Sequence, residues 1–243
     1  MKVHVGCCGF STSIKRYFEI YNSIEIQQTF YQIPKEETLK RWKELSPKNF
    51  KFCIKCFQGV THNINSPTWK RFKGNLSSNK ENYGNLKPTK EVFDSWKETL
   101  KAANILKAEI ILIQLPASFK DNGENLKNAE IFFKKVSKDI KIAFEPRGWS
   151  KRNIQKVCKK FKLIHCVDPL KETPLNLPDK TAYFRLHGKY ENNKIIYNYS
   201  YSEKELKELK EKIENIKAKK VFVFFNNSNM LQDSQKFLKL LSQ

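Results

Sequence analysis

Eight short runs rich in β-branched and aromatic residues recur along the chain, each followed by a segment with helical spacing. The runs cover residues 3–8, 24–30, 50–56, 109–115, 141–145, 163–167, 182–187 and 221–225. The segments with helical spacing cover residues 13–21, 35–45, 89–106, 124–137, 150–161, 171–177, 202–217 and 229–242. Strands that alternate with helices favour parallel βα units, and eight such units predict a single (β/α)8 barrel domain over residues 1–243.

An open, doubly wound sheet is the alternative arrangement of the same elements. The first strand-to-helix turn lacks the G-x-G-x-x-G spacing that would favour it, and barrels of this kind commonly use about 250 residues. No run approaches the roughly 18 apolar residues that a membrane span requires. The N-terminus shows no apolar segment typical of a signal peptide, so we expect a cytoplasmic protein that does not enter a membrane.

The charge of the chain has two interpretations. There are 46 Lys and Arg residues against 25 Asp and Glu, which gives a formal net charge of +21. Only six of the basic residues are Arg. A dispersed excess of Lys is typical of some heat-adapted or compositionally biased proteomes. The same excess would also favour a phosphate-rich partner such as nucleic acid, because Lys and Arg neutralise phosphates.

Residues 57–88 interrupt the alternation with about 30 residues of little periodicity, which predicts an inserted loop or lid. Basic residues alternate there with Trp69 and Phe72, a pattern that stacks on bases and binds phosphate. The predicted nucleic-acid-binding residues are Lys70, Arg71 and Lys73. The alternative is a solvated loop that Trp69 and Phe72 fix to the rim of the barrel.

Polar side chains lie near the carboxyl ends of the predicted strands, on the faces opposite the apolar side. In a barrel these faces point inward and these ends form the active site. An ionisable group buried there is costly unless it is paired or functional. A buried lattice of ion pairs is the alternative interpretation. The polar residues at the carboxyl ends of the predicted strands are Glu25, Lys55, Gln114, Glu145, Arg147, Asp168, Arg185, His187, Asn226 and Asn227.

The same positions resemble the motifs of the YecE-like family, in order along nearly the whole chain. The matching segments include IEIQQTFYQIP (24–34), NFKFCIK (49–55), ILIQLPASF (111–119), AFEPRGWS (143–150), YFRLHG (183–188) and VFFNN (223–227). The resemblance implies a TIM barrel with a site at the strand ends, supplies no reaction, and adds Tyr31 and His62 to the site. Gln27 stands where the family usually has Asn, and the stretch after Arg147 is shorter than usual.

Two chemistries suit this set of residues. A divalent cation would be held by carboxylates and one imidazole, namely Glu25, Glu145, Asp168 and His187. Without a metal, a phosphate or carboxylate would be bound by the cations Lys55, Arg147 and Arg185. Glu145 or Glu25 would then act as general base and His187 or His62 as general acid.

The turn that contains Asn226 and Asn227 precedes the last predicted helix. Backbone amides at such a helix N-terminus would bind an anion. The alternative is that Asn227 or Ser228 caps the helix.

The residue set therefore predicts a hydrolase of a phosphate-bearing substrate, and the charge favours nucleic acid. We predict catalytic roles for Glu25, Lys55, Glu145 and His187. The predicted substrate-binding residues are Tyr31, His62, Gln114, Arg147, Asp168, Arg185, Asn226 and Asn227. Two alternatives stay open: a non-catalytic barrel that binds nucleic acid or nucleotides, and a small-molecule isomerase or lyase in which Glu145 and Lys55 transfer protons.

Overall fold

The computed structural model describes residues 1–136, 140–192 and 194–243. In these ranges the strands are β1 (Lys2–Cys7), β2 (Ser23–Ile26), β3 (Lys51–Lys55), β4 (Ile110–Leu115), β5 (Lys141–Pro146), β6 (Ile164–His165), β7 (Thr181–Leu186), β8 (Lys189–Glu191), β9 (Lys194–Ile196) and β10 (Lys220–Phe225). The α-helices are α1 (Ile14–Ile20), α2 (Gln28–Tyr31), α3 (Glu36–Leu45), α4 (Gln58–Thr61), α5 (Lys90–Leu106), α6 (Gly123–Lys135), α7 (Lys151–Phe161), α8 (Glu203–Asn215) and α9 (Met230–Leu241). Residue 137, the end of one predicted helix, lies outside the described residues.

Eight of the strands are parallel and form two sheets, which confirms the predicted α/β class. One sheet has the order β2-β3-β4-β5-β6 and the other the order β1-β10-β7. Single parallel bridges connect the sheets, one between Cys8 and Glu25 and one between Val167 and Phe184. The two sheets therefore contact each other at both edges.

Apolar side chains fill both sides of these strands. Residues on the inner faces of the strands include Cys53, Leu112, Ala143, Tyr183 and Phe222, all fully buried. Larger clusters pack the outer faces of the strands against the helices. The apolar core thus packs on both faces of the strands, and polar side chains collect at their carboxyl ends.

Three segments differ from the predicted elements. The strand predicted over residues 24–30 ends at Ile26, and the short helix α2 follows, anchored by the Thr29 hydroxyl, which donates to the Lys55 carbonyl at 2.7 Å. The helix predicted over 171–177 is absent from this described segment, since Pro174 cannot supply the backbone donor that a helix needs. The antiparallel hairpin β8–β9 was not predicted.

Residues 57–88 contain α4 and two 3-10 turns, Pro67–Arg71 and Lys80–Asn82. The Trp69 indole donates to the Asn63 carbonyl at 2.8 Å, and its ring packs against the rings of Phe57 and Phe72. These contacts hold the middle of the segment against the end of β3. Within the described residues, no helix is long and apolar enough to cross a membrane.

Candidate functional site

A cavity of about 1050 Å³ opens at the carboxyl ends of the parallel strands. The hairpin β8–β9 and the segment after it contribute Tyr190, Lys194 and Tyr197 to its wall. The structure brings together many of the residues predicted for the site. Those that line the cavity are Tyr31, Lys55, His62, Gln114, Glu145, Arg147, Asp168 and His187.

Arg185 lies beneath this cavity and joins two carboxylates. Its side chain is 1% exposed, with Nη2 3.0 Å from Glu25 Oε1 and Nη1 2.7 Å from Glu145 Oε2. Burial of these charges is tolerated because each has a partner of opposite sign. Arg185 is therefore committed to the protein's own carboxylates, and the prediction that it binds substrate is not supported by this geometry.

Glu25 is likewise enclosed by its neighbours. Tyr183 donates its hydroxyl hydrogen to Oε2 at 2.6 Å, the Cys8 thiol donates to Oε1 at 3.2 Å, and the Gln27 amide also donates to Oε1. The side chain has no exposed surface and is outside the cavity lining. Glu25 therefore orients Arg185 and has no access to a substrate, in contrast to the predicted catalytic role.

Glu145 bridges the buried network and the cavity wall. Its Oε1 accepts from Arg147 Nε at 2.6 Å, while Oε2 faces Arg185. Burial by itself would raise the pKa of Glu145, but the charges of Arg147 and Arg185 outweigh it and hold the pKa well below its usual range. Glu145 is therefore a stable carboxylate and a weak general base at neutral pH.

His187 sits between the same two arginines. Its Nε2 lies 2.9 Å from Arg147 Nη2 and 3.1 Å from Arg185 Nη1. A guanidinium can only donate, so Nε2 accepts and the ring hydrogen is on Nδ1, 3.5 Å from the Tyr190 hydroxyl. Burial and the charges of both arginines hold the pKa of His187 well below its ordinary value, although Glu145 opposes them. The ring is neutral, which disfavours its predicted role as an imidazolium acid.

His62 is neutral for the same reasons. Burial, followed by the charges of Lys55 and Arg147, lowers the pKa of His62 to about 3. Its Nδ1 is 2.8 Å from the Thr61 hydroxyl, and the ring packs edge-on against Phe30. His62 lines the cavity as a polar wall residue and is a poor proton donor at neutral pH.

Lys55 lines the cavity and forms no ion pair with the described residues. It ends β3, its residue is 8% exposed, and Nζ lies 3.9 Å from the centroid of the Phe30 ring. Burial, followed by the charges of Arg185 and Arg147, lowers the pKa of Lys55 to about 7. Lys55 therefore exchanges a proton readily at neutral pH.

Asp168 follows β6 and also lines the cavity. Burial raises the pKa of Asp168 to about 7, against the hydrogen bond that the Leu170 amide donates to Oδ1 at 3.0 Å. Burial thus raises the pKa of Asp168 and lowers the pKa of Lys55, and both come to about 7.

The residues do not fit the predicted divalent metal site. The Arg185 guanidinium occupies the space between Glu25 and Glu145, and both oxygens of Glu25 already accept hydrogen bonds. Within the described ranges, no group of three or more His, Cys, Asp and Glu residues is arranged to hold a metal ion.

Asn226 and Asn227 lie outside the cavity lining. The Asn227 amide donates to the Tyr199 carbonyl at 2.8 Å and to Asp233 Oδ2 at 2.7 Å, and so ties the segment after the hairpin to α9. The residue that precedes α9 is Asn229, so the alternative of a cap at Asn227 or Ser228 is wrong. Asn227 stabilises the wall from behind instead of binding an anion in the cavity.

Lys70, Arg71 and Lys73 are exposed in and after the 3-10 turn over Pro67–Arg71. The Arg71 guanidinium lies 4.6 Å from the centroid of the Tyr31 ring, and Tyr31 lines the cavity. Of the three predicted nucleic-acid-binding residues, Arg71 therefore packs on a side chain of the cavity wall.

Sequence reasoning missed the hairpin residues. The segment KYENNKIIY (189–197) places a polar Asn-Asn pair between two short runs with alternating side chains, which is a hairpin signal. Gly188, with a positive φ of 102°, starts the turn into it, and the Ile196 carbonyl lies too close for a side chain there.

The parallel α/β fold of this chain is shared with other proteins of known structure. Endonuclease IV from Thermus thermophilus has this fold, with a TM-score of 0.58, 11% identity and coverage of 98% of this chain and 97% of that chain. A closer likeness is a DUF72 family protein from Thermotoga maritima, with a TM-score of 0.72, 22% identity and full coverage of both chains.

The family follows from the sequence itself. The family model described as a protein of unknown function, DUF72, matches residues 8–243, and the chain belongs to this family. Among its relatives, YunF of Bacillus subtilis (strain 168) is 24% identical over 250 residues, which cover 90% of this chain and 83% of YunF. YecE of Escherichia coli (strain K12) is 35% identical over 51 residues, 21% of this chain and 19% of YecE. The predicted resemblance to the YecE-like family is confirmed.

Proposed function

We propose that the protein is a hydrolase of a phosphate-bearing substrate, with nucleic acid as the favoured substrate class. In this proposal the eight parallel strands close into one (β/α)8 barrel domain over residues 1–243, and residues 57–88 form a lid beside its mouth. The observation that carries the proposal is the presence of Arg147 and Lys55 among the cations that line the cavity.

Arg147 supplies the anion-binding donors. It uses Nε for Glu145 and one Nη2 hydrogen for His187, and its side chain is 25% exposed at the cavity. The remaining guanidinium hydrogens are within reach of a bound anion, and guanidinium geometry matches two phosphate oxygens at once. Glu145 and His187 thus position Arg147, and a phosphate would complete its hydrogen bonds.

Asp168 and Lys55 supply the proton transfers. Hydrolysis requires a base that takes a proton from the attacking water and an acid that protonates the leaving oxygen. A group with a pKa near the working pH performs either task best. Asp168 as carboxylate is the base and Lys55 as ammonium is the acid, each with a pKa of about 7. This assignment replaces the predicted Glu145 and His187 in those two roles.

Nucleic acid is favoured by two observations. Endonuclease IV shares the fold, and the Arg71 guanidinium stacked on Tyr31 joins a cation and an aromatic ring at the cavity mouth, as single-strand-binding surfaces do. Lys70 and Lys73 flank this pair in sequence and extend the basic surface.

The test is hydrolysis by the full chain of bis(p-nitrophenyl) phosphate, p-nitrophenyl phosphate and end-labelled single- and double-stranded oligonucleotides. Each substrate is assayed with EDTA and with Mg²⁺, Mn²⁺ or Zn²⁺. We expect a pH–rate profile with its maximum near pH 7, and a loss of at least about 100-fold in D168N, since general acid–base catalysis contributes about 10²–10⁴-fold. The matched control is D179N, because the Asp179 side chain is 74% exposed. Hydrolysis that D168N and R147M leave unchanged would contradict the proposal.

A further inference from the structure

We propose that Lys55 is also an amine nucleophile, which captures the carbonyl carbon of an aldehyde or ketone as an imine inside the cavity. The part of the inference that gives this carbonyl compound a phosphate group rests on the proposed function. The capture itself rests on the surroundings of Lys55 alone.

The geometry around Lys55 leaves its amine free. The two nearby glutamates are taken by arginines, Glu25 by Arg185 and Glu145 by both Arg147 and Arg185. Among the described residues, Lys55 forms no ion pair, and Nζ instead rests over the Phe30 ring. The Thr29 hydroxyl fixes the backbone at Lys55, so the amine is held at the wall and not on a mobile loop.

Lys51, at the other end of β3, differs from Lys55 in having an ion-pair partner. Its Nζ lies 3.4 Å from Glu109 Oε2, and its side chain is 34% exposed. An unperturbed lysine with a pKa of about 10.4 has only about 0.04% free amine at pH 7. With a pKa of about 7, roughly half of Lys55 is free amine at that pH. The unprotonated amine is the form that attacks a carbonyl.

The step is balanced without an oxidant or a metal. The Nζ lone pair forms a bond to the carbonyl carbon while the C=O π pair moves to oxygen, which takes a proton. The resulting hydroxyl leaves as water after a second proton transfer, and the C=N bond forms. The amine carries two hydrogens and both leave with the carbonyl oxygen as water, so the step needs no further proton source.

The substrate class follows from the partners on the wall. Arg147 would bind a phosphate while Lys55 meets the carbonyl, so the compound is a phosphorylated aldehyde or ketone. Two sources share this chemistry: a free sugar phosphate, and a deoxyribose within a nucleic acid that has lost its base. The experiment separates them.

The experiment uses sodium cyanoborohydride, which reduces an imine to a stable secondary amine, with the full chain at pH 7. The probes are glyceraldehyde, glyceraldehyde 3-phosphate, and an oligonucleotide with one baseless deoxyribose beside its intact counterpart. Peptide mapping by mass spectrometry on the unaltered protein should place the adduct at Lys55, at least tenfold above any other lysine. The labelling rate should rise with pH to a midpoint near 7.

The variants K55M and K51M test the assignment. K55M should abolish the dominant adduct and K51M should leave it unchanged. Labelling spread evenly over the exposed lysines, or unchanged in K55M, would overturn the capture. Equal labelling by glyceraldehyde and its 3-phosphate would overturn the phosphate requirement only. Because non-phosphorylated glyceraldehyde reports the amine directly, failure of the hydrolase proposal leaves this result readable.

Discussion

Glu145 and Asp168 are equally buried on the wall of one cavity, at 7% and 6% exposure, yet their pKa values move in opposite directions. Glu145 has a guanidinium on each oxygen, whereas Asp168 receives a backbone amide. Burial penalises both carboxylates, and the partner decides the outcome. Glu145 therefore stays ionised at neutral pH, whereas Asp168 can gain and lose a proton there.

The same division extends to the neighbouring groups. Arg185 and Arg147 neutralise the glutamates. Burial, and after it nearby positive charges that include Arg147, keep His187 and His62 neutral and Lys55 partly deprotonated. The fixed charges Glu145 and Arg147 therefore share one cavity wall with two groups whose pKa values lie near 7, Lys55 and Asp168. Pairs of groups whose pKa values are shifted toward pH 7 are typical of acid–base sites.

The substitution R185M should have the largest effect on the contrast between Glu145 and Asp168. R185M leaves Glu25 without a cation and Glu145 with one, and breaking a buried pair on one side costs about 3–5 kcal/mol. We expect the free energy of unfolding in urea to fall by that amount, and the pKa of Glu145 to rise toward that of Asp168. R16M is the control, because Arg16 forms an exposed pair with Glu19. A loss below about 1 kcal/mol in R185M would show that the network does not stabilise the fold.

Substitution of Asp168 should change the free energy of unfolding in the opposite direction. The folded pKa of about 7 lies above the unfolded value of about 3.9, so the folded state holds the proton more tightly. Stability from this group is complete below the unfolded pKa and is lost as the pH rises through 7. The penalty reaches about 4 kcal/mol at pH 8.

D168N removes this penalty because an amide cannot ionise. We expect it to be more stable than the unaltered protein at pH 8, by up to about 4 kcal/mol, and nearly equal to it at pH 4. Urea unfolding at the two pH values measures the difference. The control E145Q should show the reverse, a loss of stability at pH 8, because Glu145 is stabilised as a charge. Equal stability of D168N and the unaltered protein at pH 8 would contradict a raised pKa.

The fold was more predictable than the roles of the residues. Runs rich in β-branched and aromatic residues located the eight strands, because a parallel strand buried on both faces reads as a short apolar run. Alternation along each run then separated its two faces. It also placed Glu145, Asp168 and His187 at one end of the strands. It did not reveal that Arg185 lies below the cavity, because the alternation gives the face of a side chain and not its depth.

The sequence also does not show which side chains pair with one another. Arg185 is 160 residues from Glu25 and 40 from Glu145 along the chain, and only the folded backbone shows that it bridges both. The roles of general base and acid depend on such pairings through the pKa values. The hairpin of β8 and β9 was missed because each strand has only three residues, which left the Asn-Asn pair between the two runs as the main signal.

The histidines give the smallest expected effect, which is an absence of titration. Burial is the first cause that lowers the pKa of each of the four: His4 and His165 to about 4, His62 to about 3, and His187 well below its ordinary value. Their contribution to stability is therefore complete above the unfolded pKa of about 6.5 and is lost as the pH falls toward the folded values. Between pH 7 and 8 it should not change. ¹⁵N NMR of histidine-labelled protein should show four neutral rings from pH 8 down to about 5, with the His187 hydrogen on Nδ1. A ring that titrates near pH 6.5 would return the acid role to histidine. With all four silent, any inflection of activity near pH 7 belongs to Lys55 and Asp168.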